Sequence, residues 1–459
     1  MDKFFKISEH GSTVKTEIMA GFTTFFAMAY IVFVNPNQVT GFTEGLDDIW
    51  NAVYVASILV ATIGTLLMSL YARKPFAQAC GMGLNSFFFV SFVLPQVITG
   101  GDTVQGYQAG LVIILLSGII FMALSLTGAR QYIAKAMPEC LKKSIPAGIG
   151  LFITYIGFQN VGIIQTNQYT LTQFVDIHGA INGDGIMTVL PALLALVGFL
   201  IIVILQKLNI KGNVIIGIVA TTVIYYVVSG TVPSFDMAQI GQSFRDFADI
   251  GITGVFQGAS WEHAFSPAFV GGVFSAIMYI ITFCLVHMFD TIGTLYGTAS
   301  QADMLDENGD PEDLDKCMAC DSIATVTGAV LGTSTSGVAA GGRTGLTSLV
   351  VSACFFVCLF LSPLASIVPS CATAPALIYV GVLMLGNFKN VDMSDMRSAA
   401  PAFLTLIMMP LTYSIANGIG IGSIAYTLIS VFTGKFQKRD IMVAVIGLLF
   451  CLKFIFITM

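Results

Sequence analysis

Charge is what this chain most lacks. Only 10% of its 459 residues are Asp, Glu, Lys or Arg, against roughly a quarter in a soluble domain. A water-facing surface of that size would be starved of ionic groups, so lipid is expected to be the solvent for most of the chain. Basic residues are scarcer than acids, 20 against 26, for a formal net charge of −6. No basic stripe remains for a nucleic acid to follow, and that partner class is excluded. No HExxH, phosphate-binding loop or nucleophile elbow occurs, so an enzyme is not expected. The opening MDKFFKISEHGSTVKTE is polar and mixed in charge. It lacks the apolar core and small-residue cleavage site of a secretory leader, so the first span is expected to direct insertion. Paired cysteine spacings are also wanting. Most of the nine cysteines (Cys80, Cys284, Cys354, Cys358, Cys371, Cys451) fall in apolar segments, and Cys317 and Cys320 make a single CxxC. With no second pair and no nearby histidine, buried structural cysteines are expected, and no metal or cofactor.

What the chain has in abundance is apolar length: 56% hydrophobic residues and a mean hydropathy of +0.85. A helix needs about twenty apolar residues to cross the hydrocarbon. Candidate spans are Ile18–Asn35, Asn51–Ala72, Phe76–Pro95, Gln108–Gly128, Ile145–Phe158, Met187–Leu205 and Asn213–Gly230. A second set is Val270–Phe289, Ile323–Leu331, Gly337–Ser362, Pro375–Phe388, Ala399–Ala416 and Gly418–Gly434. Taking Gly337–Ser362 as a short half-helix leading into a full span gives about fourteen. Ile441–Met459 carries Lys453 and follows Lys435, Lys438 and Arg439, which fits an interfacial helix.

Lys3, Lys6 and Lys15 precede the first span, Arg73 and Lys74 follow the second, Arg130 to Lys143 the fourth, and Lys207 and Lys211 the sixth. The intervening loops Thr40–Trp50 and Gly162–Gly185 contain no Lys or Arg. By the positive-inside rule the N-terminus is expected in the cytoplasm of a multi-pass plasma-membrane protein. The chain also echoes itself. Ile145–Val161 resembles Ala374–Val391, and the Pro-Ala pairs at Pro191 and Pro401 each precede a second span, one ending in Ser229-Gly230 and the other in Thr433-Gly434. Two halves with an odd number of spans enter the membrane in opposite senses, the inverted-repeat plan of secondary transporters.

Three segments interrupt the apolar runs: Ala79–Val90, His287–Ser300 and Gly332–Ser348, rich in Gly, Thr and Ser and carrying Asp290. Unwound backbone at membrane depth is tolerated only where protein or a water-filled cavity surrounds it. Half-helix N-termini there offer free N–H donors, and an intramembrane acid is a functional candidate. A planar heterocycle stacked on Phe87 or Phe88 would suit that lining.

Several segments together resemble one family. They are Gly11–Pro36, "GMGLNSFF" (Gly81–Phe88), Ile145–Ile163, "FDTIGTLYG" (Phe289–Gly297), "GVAAGGRTGLTS" (Gly337–Ser348) and Pro401–Gly422. In order, from the first span to Gly434, they are similar to the azaguanine-type purine permeases of the xanthine/uracil permease superfamily. The resemblance implies an all-α polytopic fold of seven plus seven inverted spans, split into core and gate domains, with short extended segments before the third and tenth spans. It implies core residues 1–143 and 270–362, gate residues 144–235 and 363–434, an external loop 236–269 and a tail 435–459. It also implies uptake of adenine, guanine or hypoxanthine coupled to protons, with sodium as the alternative ion; homodimerisation is left open. By the family pattern Asp290 is the acid facing the substrate; with it, Phe87, Phe88, Gly83, Gly337 and Thr335 are the expected substrate site, and Asp290 and His287 are proton-coupling candidates.

Two departures from that family stand out. Thr335 runs directly into Ser336-Gly337, where family members insert a stretch ending in Glu-Ser; the second substrate carboxylate and most of the tenth-span extended segment are expected to be missing. His287 stands where an acid is common, and an unperturbed imidazole titrates near about pH 6.5. Three readings follow. They are a purine permease, a binding or scaffold protein of the same fold that no longer transports, and an anion carrier or channel, against which Asp290 argues.

Overall fold

The computed structural model describes residues 2–127, 137–301, 304, 311–333, 336–340 and 342–456. Apolar sequence under lipid has one inexpensive way to satisfy its backbone, and nearly every element is a helix. In chain order these are α1 (Val14–Met28), α2 (Ile31–Val39), α3 (Asp47–Leu67), α4 (Met82–Phe88, continuing through a π turn to Thr99), α5 (Thr103–Leu126), α6 (Glu139–Asn160), α7 (Leu190–Lys207) and α8 (Asn213–Ser229). Then come α9 (Gly272–Gln301), α10 (Leu314–Leu331), α11 (Gly345–Cys358), α12 (Ser370–Leu385), α13 (Met396–Leu411), α14 (Ile415–Phe432) and α15 (Ile441–Phe456). Among the described residues six helical runs are long and apolar enough to cross a membrane, and five shorter apolar helices accompany them. Polar side chains mark the starts. Asp102, Asp395 and Ser414 accept from backbone N–H groups at the heads of α5, α13 and α14, satisfying donors that a helix leaves open.

The helices form two groups. In the core, α10 packs on α5 while α11 packs on α3 and α1, the exchange of partners that an inverted repeat produces. In the gate, α6 packs on α12 and α13, and α7 on α8 and α12. The echoed segments α6 and α12 meet backbone to backbone. A methyl group built on Gly381 would fall 2.5 Å from Gly150 O, and one on Gly150 would fall 2.9 Å from Gly381 O. Small residues permit that approach, and dispersion rather than exclusion of water holds helices together in lipid. Pro191 opens α7, but Pro401 lies a turn inside α13.

Two elements depart from expectation. α10 begins at Leu314, well before the expected Ile323, because the charged run Leu314–Asp321 is helical. The head of Gly337–Ser362 is a strand rather than a half-helix: β4 (Ser336–Ala340) pairs antiparallel with β1 (Phe76–Cys80), Gln78 opposite Val338 and Cys80 opposite Ser336. Neither strand has a period-2 apolar pattern. Each is extended because the other satisfies its backbone at depth. Elsewhere β2 (Ile164–Asn167) and β3 (Leu171–Phe174) form an exposed hairpin. α15 lies antiparallel along α14, with Gly447 against Ile424 and Phe450 against Gly420, and it reaches α9.

Candidate functional site

The β1–β4 crossing is where the core's polar side chains gather. On one side, α9 and α10 hold a buried cluster. His287 Nε2 lies 3.1 Å from Asp321 Oδ2 and 2.6 Å from Thr325 Oγ1, and Thr291 Oγ1 donates to Asp321 Oδ2 at 2.5 Å. His287 and Asp321 are 1% and 0% exposed, and Phe121 closes over the imidazole edge-on at 4.7 Å. β1 supplies Gln78, whose amide turned over accepts from Asp321 N at 3.3 Å and donates to Gly64 O at 3.2 Å. Thr65 fixes the Gln78 backbone through both its N–H and its C=O. A carboxylate at this depth is tolerable because several donors converge on it.

On the other side, Asn35 of α2 donates to Ser57 Oγ of α3 at 2.5 Å and to Thr333 Oγ1, just past α10, at 3.3 Å. Asn85 of α4 donates to Asn35 Oδ1, and Tyr107 of α5 donates to Gly332 O. The strand pair thus sits between two polar clusters drawn from both repeats.

Asp290 is half-buried on α9, one turn beyond His287, and α9 packs against β4. Phe87 faces α9, its ring 4.9 Å from Phe283 and 6.1 Å from Tyr279. Phe88 turns the other way, onto Phe92 and Tyr107. Gly83 lies in the first turn of α4, and Gly337 lies in β4 opposite Ala79. Thr335 lies outside the described residues. The structure therefore brings Phe87 and β4 to the helix that carries Asp290 and puts Phe88 in helix packing. The expected loss of the extended segment is corrected, since Ser336–Ala340 supply it. No helix intervenes among the described residues before α11 begins at Gly345.

Sequence reading missed Asp321, Gln78, Asn35 and Asn85. Asp321 lies just ahead of the expected span Ile323–Leu331, and Asn85 lies in the singled-out segment Ala79–Val90 without being named. It also missed Glu17, 1% exposed, which accepts from Thr344 N at 3.0 Å, Thr344 Oγ1 at 2.8 Å and Thr347 Oγ1 at 2.7 Å. That carboxylate caps the head of α11 across the fold. Outside the spans, Lys74 bridges Glu312 at 2.7 Å and Asp313 at 3.3 Å ahead of α10. The Lys316 ammonium, hydrogen-bonded at 2.8 Å, holds the Asp313 carboxyl below the usual carboxylate range, with Lys74 adding to the effect.

A crossed strand pair, discontinuous helices and a buried acid form a transporter's midplane rather than a catalytic centre. The profile of the permease family, the xanthine/uracil permeases, matches residues 15–421. This chain belongs to that family. It is 41% identical to the guanine/hypoxanthine permease PbuG of Bacillus subtilis (strain 168) over 472 aligned positions, covering 100% of both chains. It is 37% identical to the adenine permease AdeP of Escherichia coli (strain K12) over 465 positions, covering 100% of this chain and 96% of that one. Among solved structures, the transmembrane domain of the cyanobacterial bicarbonate transporter BicA matches with a TM-score of 0.58 at 16% identity, covering 87% of this chain and 97% of that one. The murine anion transporter Slc26a9 matches with a TM-score of 0.57 at 14% identity, over 92% of this chain and 69% of that one. These two share the fold. The chain is a membrane permease and not an enzyme.

Proposed function

We propose that this permease takes up a purine nucleobase (adenine, guanine or hypoxanthine) across the plasma membrane by alternating access, with protons as the coupling ion and its N-terminus in the cytoplasm. The observation that carries the reading is the placing of Asp290 on α9, one turn from the buried His287–Asp321 pair, on a helix that packs against β4. A carboxylate there accepts from the N–H edge of a purine. Phe87 packs its ring on the same helix at Phe283, and His287 lies one turn from the carboxylate. The full-length similarity to adenine and guanine/hypoxanthine permeases supports the cargo class. The chain lacks the Glu-Ser stretch that the family carries after Thr335, so Asp290 acts as the substrate carboxylate alone.

Uptake of radiolabelled hypoxanthine and adenine into cells expressing the chain tests this, at about pH 6 and about pH 8, beside Asp290→Asn and a version with the family segment restored. Faster uptake at the lower pH, abolished by Asp290→Asn, is expected. Binding without accumulation, with uptake only in the restored version, would favour a non-transporting paralogue.

A further inference from the structure

Away from the β1–β4 crossing, a cavity of about 280 Å³ opens where the core and gate groups meet. The core contributes Gln38 at the end of α2, Ser86 of α4 and Phe89; the gate contributes Gln159 and Asn160 at the end of α6, and Tyr413 between α13 and α14. Its size is near the lower end of small-molecule pockets, which start at about 300 Å³. It lies at the Lys/Arg-poor end of the bundle, next to the Thr40–Leu46 turn, and shares the lining residues Phe42 and Thr43 with a wider cavity of about 520 Å³.

Two features set this cavity apart from a packing gap. First, each side brings a carboxamide with an open position. Gln38 is 1% exposed, and its Nε2 donates to Ser86 Oγ at 3.1 Å, yet its Oε1 has no partner among the described residues; neither has Asn160 Nδ2. A buried amide atom left without a partner is costly, and a ligand that supplies one relieves that cost. Second, an aromatic residue is held in the left-handed region on each side, Phe42 at φ 58° and Tyr413 at φ 53°. A bulky residue there is an outlier that persists where the surroundings impose it. The Phe89 ring is seated against Gly41, itself at φ 59°, where a methyl group would fall 2.1 Å from the ring.

We propose that this cavity is a vestibular subsite that binds a nucleobase before it reaches Asp290. The ligand class follows from the lining: a flat, uncharged heterocycle with a donor and an acceptor on one edge. Gln38 Oε1 offers such an edge an acceptor and Asn160 Nδ2 a donor, and the rings of Phe89 and Tyr413 line the same space for stacking. Because Gln38 belongs to the core and Asn160 to the gate, a bound base spans the boundary between the two groups, and a change in their relative position during alternating access would separate the two amides. The proposal rests on the nucleobase reading above.

The test uses Gln159→Cys, which puts a thiol in the lining and leaves both amides in place, with Thr43→Cys as a second reporter. The purified full chain is labelled with a maleimide, with and without saturating hypoxanthine, and wild-type labelling is subtracted. Hypoxanthine is expected to slow labelling several-fold, equally in an Asp290→Asn background, and Asn160→Leu is expected to remove the protection. Protection that disappears with Asp290→Asn, or that survives Asn160→Leu, overturns the subsite while leaving the nucleobase reading intact. Failure of the wild-type chain to bind hypoxanthine, adenine or guanine at all overturns both.

Discussion

Replacing Glu17 with Ala should loosen the head of α11 and, through it, the β1–β4 crossing. The Glu17 carboxylate accepts the Thr344 N–H and hydroxyl at 3.0 and 2.8 Å and the Thr347 hydroxyl at 2.7 Å. Thr347 retains a second acceptor in Glu17 O at 3.2 Å, and Ser12, bonded at 2.6 Å in a partly exposed position, can turn to water. The Ala variant therefore strands two buried donors, both on Thr344, at about 1–3 kcal/mol each. It also removes a negative charge from a helix N-terminus, worth about 0.3–1 kcal/mol. Summed, the loss is about 2–7 kcal/mol, a large fraction of the total stability of most domains. Glu17→Gln keeps one acceptor oxygen and should lose about half as much. The effect spreads because Ser348, one turn into α11, donates to Lys74 O at 2.8 Å and Phe76 O at 3.1 Å, at the entry to β1. Thermal unfolding in detergent, followed by intrinsic fluorescence or by retention on size-exclusion chromatography, gives the order wild type, Gln, Ala. Combining Glu17→Gln with Thr347→Val should show a coupling of at least about 0.5 kcal/mol. A Glu17→Ala chain that melts with wild type, or strictly additive effects in that cycle, would refute the account.

Two further outcomes follow from buried charge. His287→Leu leaves Asp321 without its 3.1 Å partner and should destabilise by about 3–5 kcal/mol, whereas His287→Leu with Asp321→Leu should recover much of that loss; equal melting of the single and double variants would contradict a coupled pair. Lys453 of α15 is 7% exposed, with its ammonium 5.6 Å from the Tyr279 ring and 5.9 Å from the Phe450 ring and no carboxylate bonded to it among the described residues. Cation–π attraction of about 0.5–2 kcal/mol does not cover burial of an ammonium, so Lys453→Met should melt at the same temperature or higher. A marked fall would mean that Lys453 has an anionic partner.

The helices were legible because lipid imposes one rule, unbroken apolar length, on every span. The core–gate division and the strands entered through resemblance, since "FAQAC" and "SGVAA" have no strand pattern of their own. What makes them strands is a partner far away in sequence, and no local window contains it. Asp321 was hidden for a related reason: the charged residues at the head of α10 lie outside the apolar stretch that marks the span, and only packing places Asp321 against His287. Glu17 looked like one more acid in a polar leader, because Thr344 and Thr347, which give it a role, are contributed by the other repeat.

The two repeats diverge at one point, and backbone chemistry explains which part survives. In the first repeat β1 leads into the helix Met82–Thr99, and α5 follows; in the second, β4 leads almost directly into α11. The helix after a strand satisfies its own N–H and C=O groups internally, so losing it leaves few orphans elsewhere. Losing the strand is different. β1 is buried at every position and has no other strand beside it among the described residues. Without β4 its outward N–H and C=O groups would stand bare at membrane depth, at several kcal/mol for each group. Residues 336–340, expected to begin a half-helix, are therefore needed as a strand, and they take that form.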